Sequence, residues 1–440
     1  MTIGIRREDG AAGQRLRRHV GTAAIVALAL LAAACSGSGH GTSQVRPAAN
    51  VKTRAAVAVP EVKITPANGA ADADPSAGIT VTATGGTLKN VTVRTSGDAP
   101  SGLLSQDGKV WHSQWALDVS QAYTVTAVAS RSGAGTVTTT STFRTLTPTR
   151  TFTTEILEGY NQTYGVGMPI ILYFSQPITD KAAVERALQI TTSKPVVGAW
   201  YWDEPCNMAP TCAYFRPRDY WPTGTTISFT GHLNGVQGAP GMYGAHTLTQ
   251  TFDIGASLVA IGNTATHSTQ IYYNGKLRYN WPISSGRPGD DTPDGSYLTI
   301  EKANPVQMTG PGYSLSVPWS VRFTFSGDYY HDAYWSVGEQ GFENVSHGCV
   351  NLSPADAETY YNLAVPGDPI TITGSPKAGT WDNGWTEWFL SWPQYLKGSA
   401  LHEAVQAGPG GSTFVNPATL PASTATAPLQ TAPANNSAAR

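Results

Sequence analysis

Short runs of residues that alternate between apolar and polar side chains are the feature that most limits the fold of this chain. In "AYTVTAVA", which starts at Ala122, every second residue from Tyr123 to Ala129 is apolar. Similar runs recur through residues 61–146 and are separated by Gly and Asp. Because a period of two places one face of a strand in a core and the other in water, these runs are typical of a β-sandwich. Residues 61–146 are therefore predicted to form an immunoglobulin-like domain.

The rest of the chain supports further domains, because 440 residues exceed what one core usually organises. Residues 147–252 carry the strand-like runs "PIILYF", "CAYFRP" and "TTISFTGHL" and the short helix "TDKAAVERAL". They are predicted to form a second immunoglobulin-like domain. A third, β-rich domain is predicted at residues 253–376, where Asn274-Gly275 between β-rich runs indicates a hairpin.

The pattern changes after Ser353. "SPADAETYYNLA" has Ser353 as N-cap, Pro354 at the first helical position and apolar residues at helical spacing, which predicts a short helix. Residues 377–407 hold four of the 12 Trp and are predicted to form a strap packed on the third domain. Stacking of these Trp on carbohydrate is the alternative. Residues 408–440, rich in Pro, Ala, Thr and Ser, are predicted to be a disordered tail.

The first 34 residues have the features of an export signal. Several Arg precede the apolar run "VGTAAIVALALLAAA", which is short for a membrane span. The ending "LLAAAC" resembles the lipobox of bacterial lipoproteins, in which the Cys, here Cys35, is lipidated. The alternative is an ordinary signal peptide with Cys35 incidental. Residues 35–60 read as a disordered tether, so we expect an exported protein, lipid-anchored to the cell membrane and facing the cell wall.

Composition and cysteine usage narrow the function. The formal net charge is −2 and charged residues make up 13%, so no basic surface indicates nucleic-acid binding. Cys206 and Cys212 enclose five residues and are predicted to form a disulfide; a zinc site would need a second ligand pair nearby. Cys349 then has no partner. In an exported protein it is a candidate reactive thiol.

The stretch "HGCVN" supplies the parts of a nucleophilic cysteine site. In an extended conformation His347, Cys349 and Asn351 project to one side. The following helix N-terminus and a neighbouring imidazolium are expected to lower the pKa of the thiol. Gly348 and the turn let backbone N–H groups face an oxyanion. His331, eighteen residues before Cys349, is the candidate base.

These residues carry a family resemblance. "H-x14-S-H-G-C-V-N", from His331 to Asn351, resembles the signature of L,D-transpeptidases with the YkuD fold, and so do "GRPGDDTPDGSY" and "SGDYYH". Two immunoglobulin-like domains, a β-rich YkuD-type catalytic domain with a short helix, and a Trp-rich C-terminal strap resemble the mycobacterial-type enzymes over about residues 60–407.

The resemblance implies a cysteine-dependent acyltransferase of the cell wall. Cys349 would attack the diaminopimelate carbonyl of a donor tetrapeptide stem and release D-Ala. The side-chain amine of an acceptor diaminopimelate would then take the acyl group, forming a 3→3 peptidoglycan cross-link. His331 would transfer the proton, with its other ring nitrogen oriented by the backbone carbonyl of Asp332. His347 and Gly348 would shape the oxyanion hole with the Cys349 N–H.

The resemblance also implies a substrate site and its inhibitors. Tyr313 would cover the substrate from a lid, while Ser326, Gly327, Ser346 and Asn351 would line the site. Carbapenems would act as covalent inhibitors. Related enzymes bind calcium through acidic residues in the second immunoglobulin-like domain. The matching stretch "GVQGAPGMYG" has none, so neither a metal nor another cofactor is predicted.

Other interpretations of the same residues remain open in the sequence. His331, His347 and Cys349 could bind zinc, although zinc binding does not explain Ser346 and Asn351. Cys349 could also be an inert buried thiol, although a Gly-flanked turn between strand and helix does not favour that. Tyr313 could be a loop aromatic packed on Trp319. The protein could be an L,D-carboxypeptidase that uses water as acceptor, or a wall-binding lipoprotein with a vestigial site.

Overall fold

The computed structural model describes residues 58–97, 99–310 and 313–423. The predicted signal peptide, Cys35 and nearly all of the predicted tether lie outside these residues. Within the described part of the chain, no helix has both the length and the apolar character needed to cross a membrane.

The first domain is a sandwich of two antiparallel sheets, with strand orders β1-β2-β5-β4 and β3-β6-β7. Its elements are β1 (Glu61–Thr65), a 3₁₀ turn (Pro75–Ala77), β2 (Thr80–Thr84), β3 (Thr87–Arg94), β4 (Gly102–Leu104), β5 (Val110–Ser113), β6 (Ala122–Arg131) and β7 (Gly135–Arg144). The predicted alternation is confirmed in β6, where Tyr123, Val125 and Ala127 are buried. On the other face, the Thr124 and Thr126 hydroxyls contact threonines of β7. The alternating pattern therefore identified the face of β6 that lies in the core.

The second domain is a larger sandwich around aromatic side chains such as Trp200, Phe215 and Trp221. Its elements are β8 (Arg150–Phe152), β9 (Thr154–Ile156), β10 (Thr163–Tyr164), β11 (Ile170–Phe174), α1 (Lys181–Arg186), β12 (Leu188–Thr192), β13 (Val196–Asp203), β14 (Thr211–Pro217), β15 (Thr226–Gly231), β16 (Gln237–Ala239), β17 (Met242–Gly244) and β18 (Leu248–Ile254). One sheet has the order β10-β18-β15-β12, and the other includes β13-β14-β11-β9.

The third domain holds a five-stranded sheet, a four-stranded sheet and a separate hairpin. Its elements are β19 (Leu258–Asn263), β20 (Ser268–Tyr273), β21 (Lys276–Pro282), β22 (Gly295–Leu298), β23 (Glu301–Ala303), β24 (Val306–Gly310), β25 (Tyr313–Val317), β26 (Ser320–Arg322), β27 (Tyr329–Asp332), a 3₁₀ turn (Tyr334–Ser336), β28 (Val350–Leu352), α2 (Pro354–Leu363) and β29 (Pro369–Thr373). The sheet orders are β21-β20-β19-β29-β22 and β23-β26-β27-β28, and β24 pairs with β25.

Two local predictions in this domain are confirmed. Asn274 and Gly275 form the two-residue turn between β20 and β21, with φ values of 48° and 77°. Positive φ at both central positions is what a type I′ hairpin turn requires. Helix α2 begins after Ser353, whose hydroxyl accepts a hydrogen bond from the Asp356 N–H. The sequence specified both features because each depends on neighbouring residues only.

The prediction of a disordered tail is wrong for its first part, residues 408–419. The segment contains a 3₁₀ turn (Glu387–Phe389), α3 (Trp392–Leu396), β30 (Ala404–Gly408), β31 (Gly411–Val415) and a 3₁₀ turn (Pro417–Thr419). Residues 408–419, predicted to be disordered, thus belong to an ordered hairpin and turn. Strand β30 pairs with β13 and extends the second sandwich, because Val196–Gly198 offers a free edge to Val405–Ala407.

The Trp-rich strap, defined here as residues 377–403, packs on the second domain as well as on the third. The Arg216 guanidinium lies 4.4 Å from the ring centroids of both Trp388 and Tyr395. On the other side, Phe389 packs on Tyr297 of the third domain. The predicted packing on the third domain is thus confirmed, and the strap also contacts the second domain.

Candidate active site

The candidate base, His331, lies on β27, and this strand runs parallel to β28, which follows the candidate nucleophile Cys349. Strand β27 pairs with β28 so that His331 lies opposite Asn351, two residues after Cys349. His331 and Cys349 line the same cavity, which has a volume of about 360 Å³. Parallel strands need a long crossover, and residues 333–345, called here the Trp335 loop, supply most of it. The structure thus brings together two residues that are eighteen positions apart.

His331 is buried and its orientation is fixed. Its Nδ1 lies 2.8 Å from the backbone carbonyl oxygen of Asp332. A carbonyl only accepts, so Nδ1 carries the proton, and Nε2 of the neutral ring is left as the proton acceptor. Burial lowers the pKa of His331 to about 4. The imidazole is therefore neutral at physiological pH, which suits a general base.

The Cys349 thiol is held in its protonated form. It contacts the Gly327 carbonyl oxygen at 3.8 Å. Burial first, and the nearby Asp328 carboxylate second, raise the pKa of this thiol to about 12. The expectation of a lowered thiol pKa is therefore wrong. Strand β28 separates Cys349 from the first turn of α2, and a helix dipole acts over little more than one turn.

The turn that holds Cys349 is closed by the Ser346 side chain. The Ser346 hydroxyl donates to the Cys349 carbonyl oxygen at 2.6 Å and accepts from the Gly348 N–H at 3.1 Å. Thr292 donates to the Gly348 carbonyl oxygen at 2.6 Å. Both polar groups of Gly348 are thus occupied. Within the described residues the N–H groups of His347 and Cys349 have no acceptor and remain available to an oxyanion.

Gly348 has a conformational role. Its φ is +127°, and a Cβ at this position would lie 2.4 Å from the Asp328 Oδ1 atom. A side chain would therefore meet both backbone strain and a steric clash. Gly348 shapes the turn and contributes no free N–H of its own to the oxyanion site.

On one side of the thiol lies a braced segment, residues 324–328, called here the Ser326 loop. Asp328 Oδ2 accepts hydrogen bonds from the hydroxyls of Thr324 at 2.7 Å and Ser326 at 3.2 Å. From the strap, the Asn383 Oδ1 atom accepts from the Ser326 N–H at 2.7 Å. Ser326 and Gly327, predicted to bind substrate, therefore lie in this loop beside the thiol. They do not line the cavity that contains His331.

The remaining predicted substrate residues line that cavity. Tyr313 stacks on His347 with a centroid distance of 4.9 Å. Trp319 instead packs on Tyr361, so the alternative of a Tyr313–Trp319 pair is wrong. The Asn351 side-chain N–H donates to the Ser336 hydroxyl at 2.9 Å, and its Oδ1 is buried without a partner in the described structure.

Sequence reasoning assigned no role to several residues of the site, among them Thr292, Asp328, Trp335 and Glu339. Thr292 and Asp328 fall inside the quoted stretches "GRPGDDTPDGSY" and "SGDYYH", which were matched as patterns without a role for each residue. Trp335 stacks on His331 with a centroid distance of 5.8 Å, and Glu339 lines the cavity. Nothing local in the loop sequence indicates these contacts.

Two further predictions concern cysteines and metals. The structure joins Cys206 and Cys212 by a disulfide with a Cα–Cα distance of 5.9 Å, and Cys349 is a free cysteine. Among the described residues, no group of three or more His, Cys, Asp or Glu side chains is arranged to hold a metal ion. The zinc interpretation of His331, His347 and Cys349 has no support from this geometry.

Two family profiles match the chain. Residues 70–237 match the bacterial Ig domain, and residues 258–372 match the L,D-transpeptidase catalytic domain, YkuD. The second range contains His331, Cys349 and the whole cavity wall. The first range spans parts of both sandwiches.

Characterised relatives align over most of this chain. L,D-transpeptidase 2 of Mycobacterium tuberculosis (strain CDC 1551 / Oshkosh) is 31% identical over 400 residues, covering 88% of this chain and 96% of that protein. L,D-transpeptidase 5 of Mycobacterium tuberculosis (strain ATCC 25618 / H37Rv) is 34% identical over 351 residues, covering 78% and 77%. The solved structure of LD transpeptidase LdtMt1 in complex with imipenem covers 50% of this chain and 97% of that chain, with 33% identity and a TM-score of 0.42.

Proposed function

The chain belongs to the L,D-transpeptidase family, and we propose that it forms 3→3 peptidoglycan cross-links through a thioester at Cys349. The donor is a tetrapeptide stem that loses its terminal D-Ala. The acceptor is the side-chain amine of diaminopimelate in a second stem. The single observation that supports this most is the cavity shared by an oriented neutral imidazole and a free thiol.

Acylation begins from a neutral pair of groups. As the Cys349 sulfur attacks the donor carbonyl, His331 Nε2 takes the thiol proton, because a thiol with a raised pKa does not ionise beforehand. The backbone N–H groups of His347 and Cys349 face the oxyanion. The imidazolium then gives the proton to the departing D-Ala nitrogen as the C–N bond breaks. The thioester remains, and His331 is neutral again.

Transfer reverses the proton movement. The acceptor amine attacks the thioester carbonyl, His331 Nε2 takes a proton from the attacking nitrogen, and the sulfur leaves and recovers that proton. Asn351 supports binding in this scheme, since its buried Oδ1 has no partner in the described structure and can accept from a stem-peptide N–H. Tyr313, stacked on His347, closes one side of the cavity.

Intact-protein mass spectrometry tests the covalent step. The purified protein is incubated with a tetrapeptide donor or a carbapenem, whose strained lactam carbonyl mimics the donor bond. The wild type should gain the mass of one acyl group, and Cys349→Ala should gain none. Cys206→Ala/Cys212→Ala, which leaves Cys349 in place, serves as a control for general loss of cysteine. A wild type that never gains mass would remove the proposal.

Product analysis separates transfer from hydrolysis. With donor and acceptor stems present, transfer gives a cross-linked dimer, and hydrolysis gives a tripeptide. We expect the dimer. A tripeptide as sole product would make the protein an L,D-carboxypeptidase that uses the same thioester.

The site of action is also part of the proposal. An export signal in residues 1–34 and a lipid on Cys35 would hold the enzyme on the outer face of the membrane, towards the wall. The basic, apolar and small-residue order of that segment supports this. Wild-type protein should label with palmitate and sediment with membranes, and Cys35→Ala should do neither. Sedimentation of an unlabelled Cys35→Ala protein with membranes would contradict lipid anchoring.

A further inference from the structure

We propose that Glu339 is a specificity-determining residue that binds the ammonium group of the acceptor amine as it enters the site. The inference rests on the proposed function for the identity of the acceptor. It adds the residue that selects a cationic aliphatic chain. Glu339 belongs to the Trp335 loop and lines the same cavity as Cys349 and His331.

The charged residues of the cavity wall support binding of a cation. Among the described residues that line the cavity, Glu339 is the only carboxylate, and no Lys or Arg is present. Its side chain is half-buried and takes part in none of the salt bridges of the described chain. An unpaired carboxylate in a partly dry cavity attracts a cation and disfavours an anion.

The apolar residues of the cavity wall support binding of an aliphatic chain. Met308, Leu315 and Val317 of the β24–β25 hairpin line one part of the cavity, and Trp335 and Val345 line another. An aliphatic chain that ends in an ammonium group matches this combination of apolar walls and one carboxylate. Lysine has this chemistry, and the side chain of diaminopimelate presents the same ammonium group on a terminal carbon that also bears a carboxyl group, so Glu339 would face its ammonium side.

The backbone that carries Glu339 is held in place by hydrogen bonds. The Glu339 N–H donates to the Ser336 carbonyl at 3.2 Å, and the Glu339 carbonyl accepts from Phe342 and Glu343, both at 2.9 Å. Ser336 is itself tied through its hydroxyl to Asn351, on the strand that follows Cys349. The turn that bears Glu339 is therefore anchored to the catalytic strand.

The expected strength is compatible with turnover. We expect an effect of about twofold to fivefold in local occupancy, which is about 0.4–1 kcal/mol and lies within the range of ion pairs at partly exposed carboxylates. Such a pair raises the concentration of the amine near the thioester without holding its proton firmly. The ammonium releases one proton to water before it attacks, and His331 then takes a second proton from the attacking nitrogen and passes it to the leaving sulfur.

The first test uses thiol reagents and needs no enzymatic activity. The aminoethyl (cationic) and methyl (neutral) methanethiosulfonates both form a mixed disulfide with Cys349 and release the same sulfinate. We expect Glu339→Gln to lower the ratio of cationic to neutral rates about twofold to fivefold. Glu343→Gln, an exposed carboxylate of the same loop outside the cavity, should not change it. Glu339→Asp should retain most of the preference, and Cys349→Ser gives the background.

The second test uses the transfer reaction. With a donor whose side-chain amine is acetylated and an acceptor tripeptide with a free amine, Glu339→Gln should lower the dimer-to-tripeptide ratio about twofold to fivefold relative to Glu343→Gln. Unchanged ratios in both tests, or equal losses in both variants, would overturn the proposal. A lowered reagent ratio in Glu339→Gln, beside a wild type that makes no dimer, would support the amine subsite and refute the transpeptidase proposal.

Discussion

The Ser326 loop and the Trp335 loop flank the same thiol and use an acidic side chain in opposite ways. In the Ser326 loop, Asp328 has two hydroxyl partners, and the loop is tied to the strap through Asn383. In the Trp335 loop, Glu339 lines the cavity, and its carboxylate has no salt-bridge partner in the described structure. Asp328, whose hydrogen-bond partners belong to the protein, changes the pKa of the neighbouring thiol. Glu339, which has no salt-bridge partner in the described structure, is available to a ligand.

The two loops also differ in what they present to solvent. The Trp335 loop exposes several large apolar side chains, namely Tyr334, Trp335, Val337 and Phe342. The Ser326 loop exposes Phe325 alone among large apolar side chains. The Trp335 loop is therefore the more apolar surface beside the thiol, while the Ser326 loop supplies the Asp328 charge that contributes to the raised thiol pKa.

The largest expected effect is at the base between the two loops. His331→Ala should slow acylation of Cys349 by about 10²- to 10⁴-fold, the usual contribution of a general base. The rate of mass gain with a carbapenem measures this effect. Glu343→Gln serves as the control for an unrelated change in the Trp335 loop. A loss of less than twofold in His331→Ala would mean that another group takes the proton.

Gly348→Ala should push a methyl group against Asp328 and so disturb the packing of the Ser326 loop on the turn that holds Cys349. We expect the free energy of unfolding to fall by about 1–3 kcal/mol because of strain at positive φ, in addition to the clash with Asp328. Chemical denaturation measures this change. Adding Asp328→Ala should recover part of the loss, since it removes the atom that the new methyl group meets. If the double variant loses as much unfolding free energy as the two single variants lose together, the clash between the new methyl group and Asp328 does not contribute.

Asp328→Asn should separate the roles of the two carboxylates. The negative charge of Asp328 raises the pKa of the thiol, so its removal should shift the pH midpoint of Cys349 alkylation by iodoacetamide downwards. Each unit of that shift gives about tenfold more thiolate at a fixed pH. Glu339→Gln should leave the midpoint unchanged. A shift in both variants, or in neither, would mean that the loops do not differ as described.

The smallest expected effect is the response of acylation to mild acid. His331 must be neutral to accept a proton, and its pKa is lowered to about 4. The rate should therefore fall as pH decreases through about 4 and lose only about a tenth between pH 7 and pH 5. A surface imidazole with the ordinary pKa near 6.5 would lose most of its neutral form over that range. Stopped-time acylation assays at constant ionic strength distinguish the two profiles.

Much of the fold was predictable because its signals are local. The alternation in β6, the Asn274-Gly275 turn and the Ser353 cap each depend on residues within a few positions of one another. The hairpin of β30 and β31 was missed for the opposite reason. Its short segments gain their strand conformation by pairing with β13, about 200 residues earlier in the chain. No pattern in the residues near β30 indicates that the edge of β13 is available for pairing.

The identity of the candidate site residues was predicted, but their chemical state was not. The spacing from His331 to Cys349 and the Gly348 between His347 and Cys349 are visible in the sequence. The thiol pKa depends instead on burial and on Asp328, which the fold brings next to the turn. Desolvation is the largest effect on this pKa, and it depends on burial in the fold and not on the helix terminus that is visible in the sequence.

The sequence by itself determined which side chains are present at the site and which segments form strands, because these properties follow from residue type and short-range periodicity. Only the tertiary structure decided that the thiol is protonated, that Asp328 is hydrogen-bonded and that Glu339 has no salt-bridge partner among the described residues. Burial and the distance between charges are properties of residues far apart in the chain, and they exist only once the chain has folded.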